Sequence, residues 1–368
     1  MRPISGMRSI HLMLCTAASN ITLSGKTSWH SLIDVPTKTD GKLMKLRPLV
    51  MLTVIVPTLL LTTTTNLNAQ AVYPAKPIRL VVAFAAGGIA DSVARQIGVK
   101  LGLRLGQPVV IENRGGAGGN LGARAVTTAE PDGYTLLVTT AALAVNASLY
   151  KNPGYTIADF APIAVAASTP NLFAINASNP ANSLQDLVRN YKGKQLTYST
   201  AGIGSSSHLT GQYVLKNLLG IDAVHVPYQG GAPAVNAAVA GHVDMVSTSM
   251  PTAMTNVAAG RLKGIAVASL KRVDTLPTVA TVTEAGFSDF EDRSWVGFLA
   301  PAKTNPDIVR RLNAEINDIL RQPDVRQSLL SVGFEPSIGT SREFSDYLTK
   351  EVAKWSQIVK ATGVTIND

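Results

Sequence analysis

Ser199-Thr-Ala-Gly-Ile-Gly-Ser-Ser-Ser-His208 decides how this chain reads. The apolar Leu196-Thr-Tyr198 runs into it, and an amphipathic pattern from Leu209 leaves it. That order describes a strand, a Gly/Ser-rich turn and a helix. Gly202 and Gly204 permit the tight or left-handed backbone that such a turn needs. Ser205, Ser206 and Ser207 put hydroxyls where the first helical turn leaves N–H groups without partners. Those N–H groups, at the positive end of the helix dipole, attract an anion without any fixed cation. A plain N-cap has the same local signature. The reading tilts toward a site because a second loop of this kind, Phe84-Ala-Ala-Gly-Gly88, stands far upstream.

Outward from these loops, short apolar runs alternate with helical patterns. Ile78–Phe84, Val109–Glu112, Thr135–Val138, Leu172–Ile175, Leu196–Tyr198, Ala223–Val226 and Ile265–Val267 read as strands. Ile89, Val93, Ile97, Leu101 and Leu105 recur every fourth residue, with Asp91, Arg95, Lys100 and Arg104 on other faces. That is an amphipathic helix. Ile308, Leu312, Ile316 and Leu320 form a second stripe, which Pro323 should end, and Phe344 to Val359 a third. The alternation predicts an α/β fold with largely parallel sheets flanked by helices. No polar linker separates two lobes. Asn171–Asn176 and Ser294–Ala300 instead look like two crossings, with 72–172 and 295–368 forming a discontinuous first domain and 173–294 a second. Ligands in open α/β sheets sit at the carboxyl ends of strands, where both glycine-rich loops fall.

The amino terminus reads as processing signal rather than fold. Met44-Lys-Leu-Arg47 is basic, Pro48–Leu61 is apolar and uncharged, and Ala69-Gln-Ala71 is a small-x-small cleavage pattern. That order, residues 44–71, predicts a secretory signal peptide and export to the periplasm. The apolar run is short of the ~20 residues of a membrane-spanning helix. Residues 1–43 read as an unstructured upstream extension, with Met44 the expected start. The formal charge of +9 comes from 33 Lys/Arg against 24 Asp/Glu. Seven of those bases and two of those acids precede residue 72, which leaves 26 against 22, or +4. These charges are interspersed, without the basic stripe that nucleic acid requires. The single cysteine, Cys15, lies in the upstream extension. The exported chain would hold no disulfide and no thiolate nucleophile.

Other chemistry fits poorly. Gly116-x-Gly118-x-x-x-Gly122 resembles a dinucleotide loop, but it follows the second strand and no acidic residue ends the next one. Gly-x-Ser-x-Gly is absent, and His208 beside Ser205–Ser207 is adjacency rather than triad geometry. His208, His225 and His242 lack metal-ligand spacing. No catalytic residue, cofactor or metal is therefore expected. Val226–Pro233 reads as structural punctuation. Thr139 and Thr140, and Ser247-Thr-Ser249, end strand-like runs with hydroxyls that can face a cleft.

Taken in order, these pieces resemble the Bug/TctC family, the extracytoplasmic receptors of tripartite tricarboxylate transporters. The resemblance is carried by Tyr73–Arg79, Phe84–Asp91, Glu112–Gly119, Pro131–Leu137, Ser199–Leu209, His225–Tyr228, Leu276–Val279, Glu284–Gly286 and Trp295–Pro301. It implies a two-lobed periplasmic binding protein of type II-like architecture, with a ligand cleft between lobes. It further implies a small carboxylate ligand, such as a di- or tricarboxylate, an aromatic acid or an acidic amino acid, and membrane permease subunits as partners. The residues it would place on the ligand are Phe84, Ala86, Gly87 and Gly88; Thr139, Thr140 and Ala141; and Gly202, Gly204, Ser205, Ser206 and Ser207; Ser247 and Thr248 join the candidates only as hydroxyls that end a strand-like run. Ala86 departs from the family's usual proline. Ser247-Thr-Ser249 departs from the acidic or aromatic element of many relatives, which leaves the ligand's identity open. A secreted hydrolase and a ligand-sensing subunit of a signalling system are the other classes the sequence leaves open.

Overall fold

The first lobe begins with the strand Ile78–Val82 (β1), whose Val81 and Val82 are wholly buried. A computed structural model describes residues 73–287 and 290–366. The expected signal peptide and upstream extension lie outside the described residues. After β1 come the helix Ile89–Leu105 (α1), the strand Val109–Asn113 (β2), the helix Asn120–Thr127 (α2), the strand Thr135–Thr140 (β3) and the helix Ala142–Leu149 (α3). β1 pairs in parallel with both β2 and β3. The stripe expected on α1 is the one buried: Val93, Ile97 and Leu101 are fully enclosed.

The chain then enters a 17-residue strand, Phe160–Asn176 (β4). The second lobe follows with the helix Leu184–Asn190 (α4), the strand Leu196–Thr200 (β5), the helix Ser206–Gln212 (α5), the strand Ala223–Pro227 (β6), the helix Gly231–Val239 (α6), the strand Met245–Ser249 (β7), the helix Met250–Ala258 (α7) and the strand Leu262–Val267 (β8). A π-helical stretch, Tyr213–Leu218, continues α5. β5 is parallel to β6 and β7. The strand Arg293–Pro301 (β9) returns the chain, followed by the helices Pro306–Arg321 (α8) and Pro323–Ser331 (α9), the two-residue strand Glu335–Pro336 (β10) and the long helix Ser341–Thr362 (α10). Pro323 ends α8 as the sequence predicts. It also begins α9, because a proline at the first helical position loses no intrahelical bond.

The expectation of largely parallel sheets holds on the flanks and fails in the middle. The strand order is β2-β1-β3-β9-β4-β7-β5-β6, and β9 runs antiparallel to both β3 and β4, as β7 and β8 do to β4. A strand that leaves a lobe and one that returns to it must run in opposite senses when they lie side by side. β4 serves two sets of neighbours in succession. Up to Pro170, opposite Arg293, it pairs with β9; from Asn171, opposite Ser249, it pairs with β7. One core cluster packs β1, α1, α8 and α9, and another packs β7, α6 and α7. The third draws Leu143, Leu209, Trp295 and Trp355 together beneath the crossing.

Candidate ligand-binding cleft

Three strand-to-helix turns converge on one cavity of about 200 Å³: β1 into α1, β5 into α5 and β6 into α6. Thr140 at the end of β3, Thr248 and Ser249 at the end of β7, and Ser294 at the start of β9 complete its wall. The turns meet because all three sit at carboxyl ends of parallel strands and β4 with β9 set the two lobes face to face. Ser205 caps α5: its Oγ accepts from the His208 amide at 3.2 Å and donates to the Gly202 carbonyl at 2.7 Å. The amides of Ser206 and Ser207, and of Gly231 and Ala232, belong to first helical turns and have no intrahelical acceptor. No lysine, arginine, histidine, aspartate or glutamate lies on the wall. The field inside the cavity is therefore set by amide N–H groups, hydroxyls and helix dipoles.

A second layer holds these groups in place. Asp91, expected on a polar face of α1, is 3% exposed. Its Oδ2 accepts from the Gly87 amide and from Arg95 Nε, both at 2.9 Å, and its Oδ1 accepts from Asn113 Nδ2 at 2.9 Å. Burial alone would raise this carboxyl's pKa, but the bonds from Arg95, Gly87 and Asn113 outweigh it and hold it below the usual range. Loop 84–88 is thus pinned through Gly87. Ser247 does the same for the opposite loop. Its Oγ accepts from Asn171 Nδ2 at 2.9 Å and donates to the Ser207 carbonyl at 2.8 Å.

Of the residues expected on the ligand, Phe84, Ala86, Gly87, Gly88, Thr140, Ser205, Ser206, Ser207 and Thr248 line this cavity. Gly202 lines an adjoining one. Thr139, Ala141, Gly204 and Ser247 are on neither wall. Thr139 is buried opposite Gly297 in the β3–β9 ladder, and Ala141 is buried where α3 starts. Gly204 packs against Asn146, since a Cβ there would lie 2.4 Å from Asn146 Oδ1. The sequence reading passed over Gln229–Pro233, Thr252 and Ser294. Gly230-Gly231 ahead of a helical pattern was the available signal for the first of these.

His208 is not paired with a cleft serine. Its ring stacks on that of His225, with centroids 4.0 Å apart, and His225 Nε2 lies 2.7 Å from Thr200 Oγ1. Burial depresses the His208 pKa to about 4. Burial, then the neighbouring His208 and Lys216, depress that of His225 to about 3. Both rings are neutral at pH 7, and their role in this geometry is packing between α5 and β6.

The profile of the tripartite tricarboxylate transporter family receptor, TctC, matches residues 93–364. The chain belongs to this family. This TctC-family protein is 32% identical over 300 residues to BugT of Bordetella pertussis, an alignment covering 80% of this chain and 91% of BugT. A solved R. palustris protein with adipate is 32% identical with a TM-score of 0.76, covering 80% of this chain and 99% of its own. MatC from Rhodopseudomonas palustris, solved with bound malate, is 32% identical with a TM-score of 0.73, covering 78% of this chain and 100% of its own. The two-lobed binding-protein fold and the role of solute receptor are those of the family. No helix among the described residues is long and apolar enough to cross a membrane.

Proposed function

We propose that this receptor captures a small carboxylate in the periplasm and presents it to membrane subunits of a tripartite transporter. The observation that carries this is the convergence of the α1, α5 and α6 amino termini on one cavity without a charged side chain. Amide N–H groups and hydroxyls bind a carboxylate reversibly, and closure of the lobes over it excludes water and strengthens each contact. The carboxylate meets loop 84–88 from the first lobe and Ser205–Ser207 and Gly230–Ala232 from the second, with Thr140 and Thr248 at its side. The adipate and malate held by the two solved relatives agree with that ligand chemistry. The wall holds no nucleophile–base pair, so binding rather than bond chemistry is its task.

The division into lobes follows from the same reading: 72–172 with 295–368, and 173–294, hinged where β4 and β9 cross. Export follows from the signal at 44–71, with cleavage after Ala71. A thermal-shift screen of the purified protein against carboxylic acids and matched neutral amides tests the function, since a ligand bound only by the native state raises its stability. Acids should raise Tm and their amides should not. Equal shifts from acid and amide, or no shift with any acid, would sink the carboxylate reading. Amino-terminal sequencing of periplasmic protein tests export, and a chain that still begins before residue 60 would refute it.

A further inference from the structure

Eight hydroxyl side chains stand on the wall of the cleft, and five of them are already bonded within the protein. Ser205 bonds to Gly202 and His208, Ser207 to Ser205, and Ser249 to Thr252, while Thr140 accepts from the Ala142 amide at 3.3 Å. Ser206, Thr248 and Ser294 make no side-chain hydrogen bond among the described residues. They are nonetheless only 6%, 1% and 5% exposed. The unpartnered polar atoms sealed from all open space belong, among the described residues, to Asn146, His208, Asp292 and Thr304. The three hydroxyls therefore open on the cavity that they line. A buried hydroxyl normally has a partner, and one left without it costs free energy once water is excluded.

Hydroxyls offer a ligand something that amides do not. A carboxylate only accepts hydrogen bonds, and the first-turn amides of Ser206, Ser207, Gly231 and Ala232 are unspent donors for it. A hydroxyl both donates and accepts. Against a carboxylate its lone pairs stay unused, and they need a donor on the ligand. An ammonium group is such a donor, but no aspartate or glutamate on the wall offsets its charge. A neutral donor, an O–H, fits. Its position in the ligand is also limited. A Cβ on Gly231 would lie 3.2 Å from Thr248 Oγ1, so this hydroxyl sits beside the first turn of α6. The Ser206 hydroxyl belongs to the first residue of α5. Each stands within a residue of an amide that can hold the carboxylate, so the ligand hydroxyl lies beside its carboxylate. The cavity, at about 200 Å³, is below the ~300–1,000 Å³ of sites for drug-sized ligands, which suits a short acid.

Building on the carboxylate-receptor reading, we infer that this cleft selects a small 2-hydroxycarboxylate: the amides at the α5 and α6 turns hold its carboxylate, and Ser206, Thr248 and Ser294 read the hydroxyl on the neighbouring carbon. An acid without that hydroxyl leaves the three side chains unbonded, and one with an ammonium in its place meets no counter-charge.

Calorimetry with two matched series tests this: butanoate, 2-hydroxybutanoate and 2-aminobutanoate, and glutarate, 2-hydroxyglutarate and glutamate, with both enantiomers of each chiral acid. Within a series the members differ only at carbon 2. In at least one series the better hydroxy enantiomer should bind at least about tenfold more tightly than the unsubstituted acid and than either amino enantiomer. Ser294→Ala and Thr248→Val each remove one hydroxyl and no hydrogen bond within the protein, and each should shrink that ratio at least about threefold. A hydroxy acid bound no more tightly than its unsubstituted companion in either series overturns the inference while leaving the receptor reading intact. Equal or tighter binding of the amino acid overturns the choice of a neutral donor. A ratio unmoved by both substitutions overturns the assignment to these side chains. If no member of either series binds, the inference falls, and the receptor reading falls with it only when the thermal-shift screen of acids is also blank.

Discussion

Gly88 and Gly204 both belong to the turns expected to meet the ligand, and they are glycine for different reasons. At Gly88 φ is −78°, open to any residue, and a Cβ would meet only the Ala85 carbonyl oxygen, at 3.4 Å. A larger side chain there stands on the cavity wall without disturbing the backbone. Gly88→Val should lower affinity for the tightest acid at least about tenfold while keeping the melting temperature within a few degrees, because the loss is steric and local. Unchanged affinity by calorimetry would remove loop 84–88 from the site. At Gly204 φ is +82°, a region that costs a residue with a Cβ, and that Cβ would collide with Asn146 Oδ1 of the facing lobe. The buried Asn146 Oδ1 has no hydrogen-bond partner among the described residues. The side chain is held through its Nδ2, which donates to the Gly118 carbonyl and to Asn120 Oδ1, both at 2.9 Å. Gly204→Ala should cost about 1–3 kcal/mol in denaturant unfolding and weaken binding. A variant as stable as the parent would show that the lobes do not meet closely at this point.

The helix α5 is tied to its neighbours by two buried titrating features of opposite sign. The His208–His225 stack joins it to β6, and Thr210 Oγ1 donates to Asp292 Oδ2 at 2.6 Å, just before β9 begins. For the histidines the folded pKa values, about 4 and about 3, lie below the ~6.5 of an unfolded chain. The unfolded state then binds more protons as pH falls through that window, so stability drops. For His208 alone the loss between pH 7 and pH 5 is about 2 kcal/mol. Asp292 behaves in the other sense. Burial raises its carboxyl to about 6, against the lowering effects of Lys354 and the Thr210 bond, while Glu351 and Glu291 add to the rise. Its protonation in the native state from about pH 6 downward stabilises the fold relative to the unfolded chain, offsetting part of the histidine loss. Asp292→Asn should therefore lose more stability between pH 7 and pH 5 than the parent protein does. Parallel denaturation series at the two pH values check this, and an equal or smaller loss in the variant would contradict it.

Across the molecule, the proposed division into lobes falls where β4 changes partners at Pro170 and Asn171 and where β9 begins at Arg293. The backbone there is stitched: Asn171 N–H donates to the Asp292 carbonyl at 3.1 Å, and Ala268 N–H to the Asn171 carbonyl at 2.8 Å. α10 adds a further tie, with Trp355 in the shared core and the Ala361 carbonyl accepting from Asn217 Nδ2 at 3.0 Å. Trp295 and Trp355 are fully buried, and both indole N–H groups donate to Glu351 Oε2 at 3.2 Å. Trp355→Ala should cost about 3–5 kcal/mol in chemical denaturation through the cavity it leaves. A cost under about 1 kcal/mol would mean the shared core is not what holds the lobes. On the proposed division into lobes, two strand crossings would confine relative motion to a hinge, and a ligand touching both lobes would favour the closed form by its differential affinity alone. Solution scattering should show a smaller radius of gyration with the tightest-binding acid at saturation. An unchanged radius would make this a preformed rigid pocket.

Much of the fold was legible in the sequence because it is written locally. The four-residue spacing along α1 and the apolar runs of β1, β2, β5 and β6 report which face each element buries. The turns at 84–88 and 201–205 report their own capping chemistry. The extended stretches at 171–176 and 294–300 fall within the strands β4 and β9. Partnership at long range was not written locally. Asp91 has the spacing of a surface residue, and only the approach of Gly87 and Asn113 makes it a buried anchor. Gln229–Pro233 looks like punctuation until the pairing of β5 with β6 sets it beside Ser205–Ser207. Thr139 and Ser247 carry the right hydroxyls, but both are buried within the sheet: Thr139 sits opposite Gly297 of β9, and Ser247 of β7 sits opposite Phe173 of β4 with its hydroxyl bonded to Asn171 and Ser207. Local spacing determined what each segment is; the long antiparallel strands β4 and β9, by bringing distant strand ends together, decided which segments face one another across the cleft.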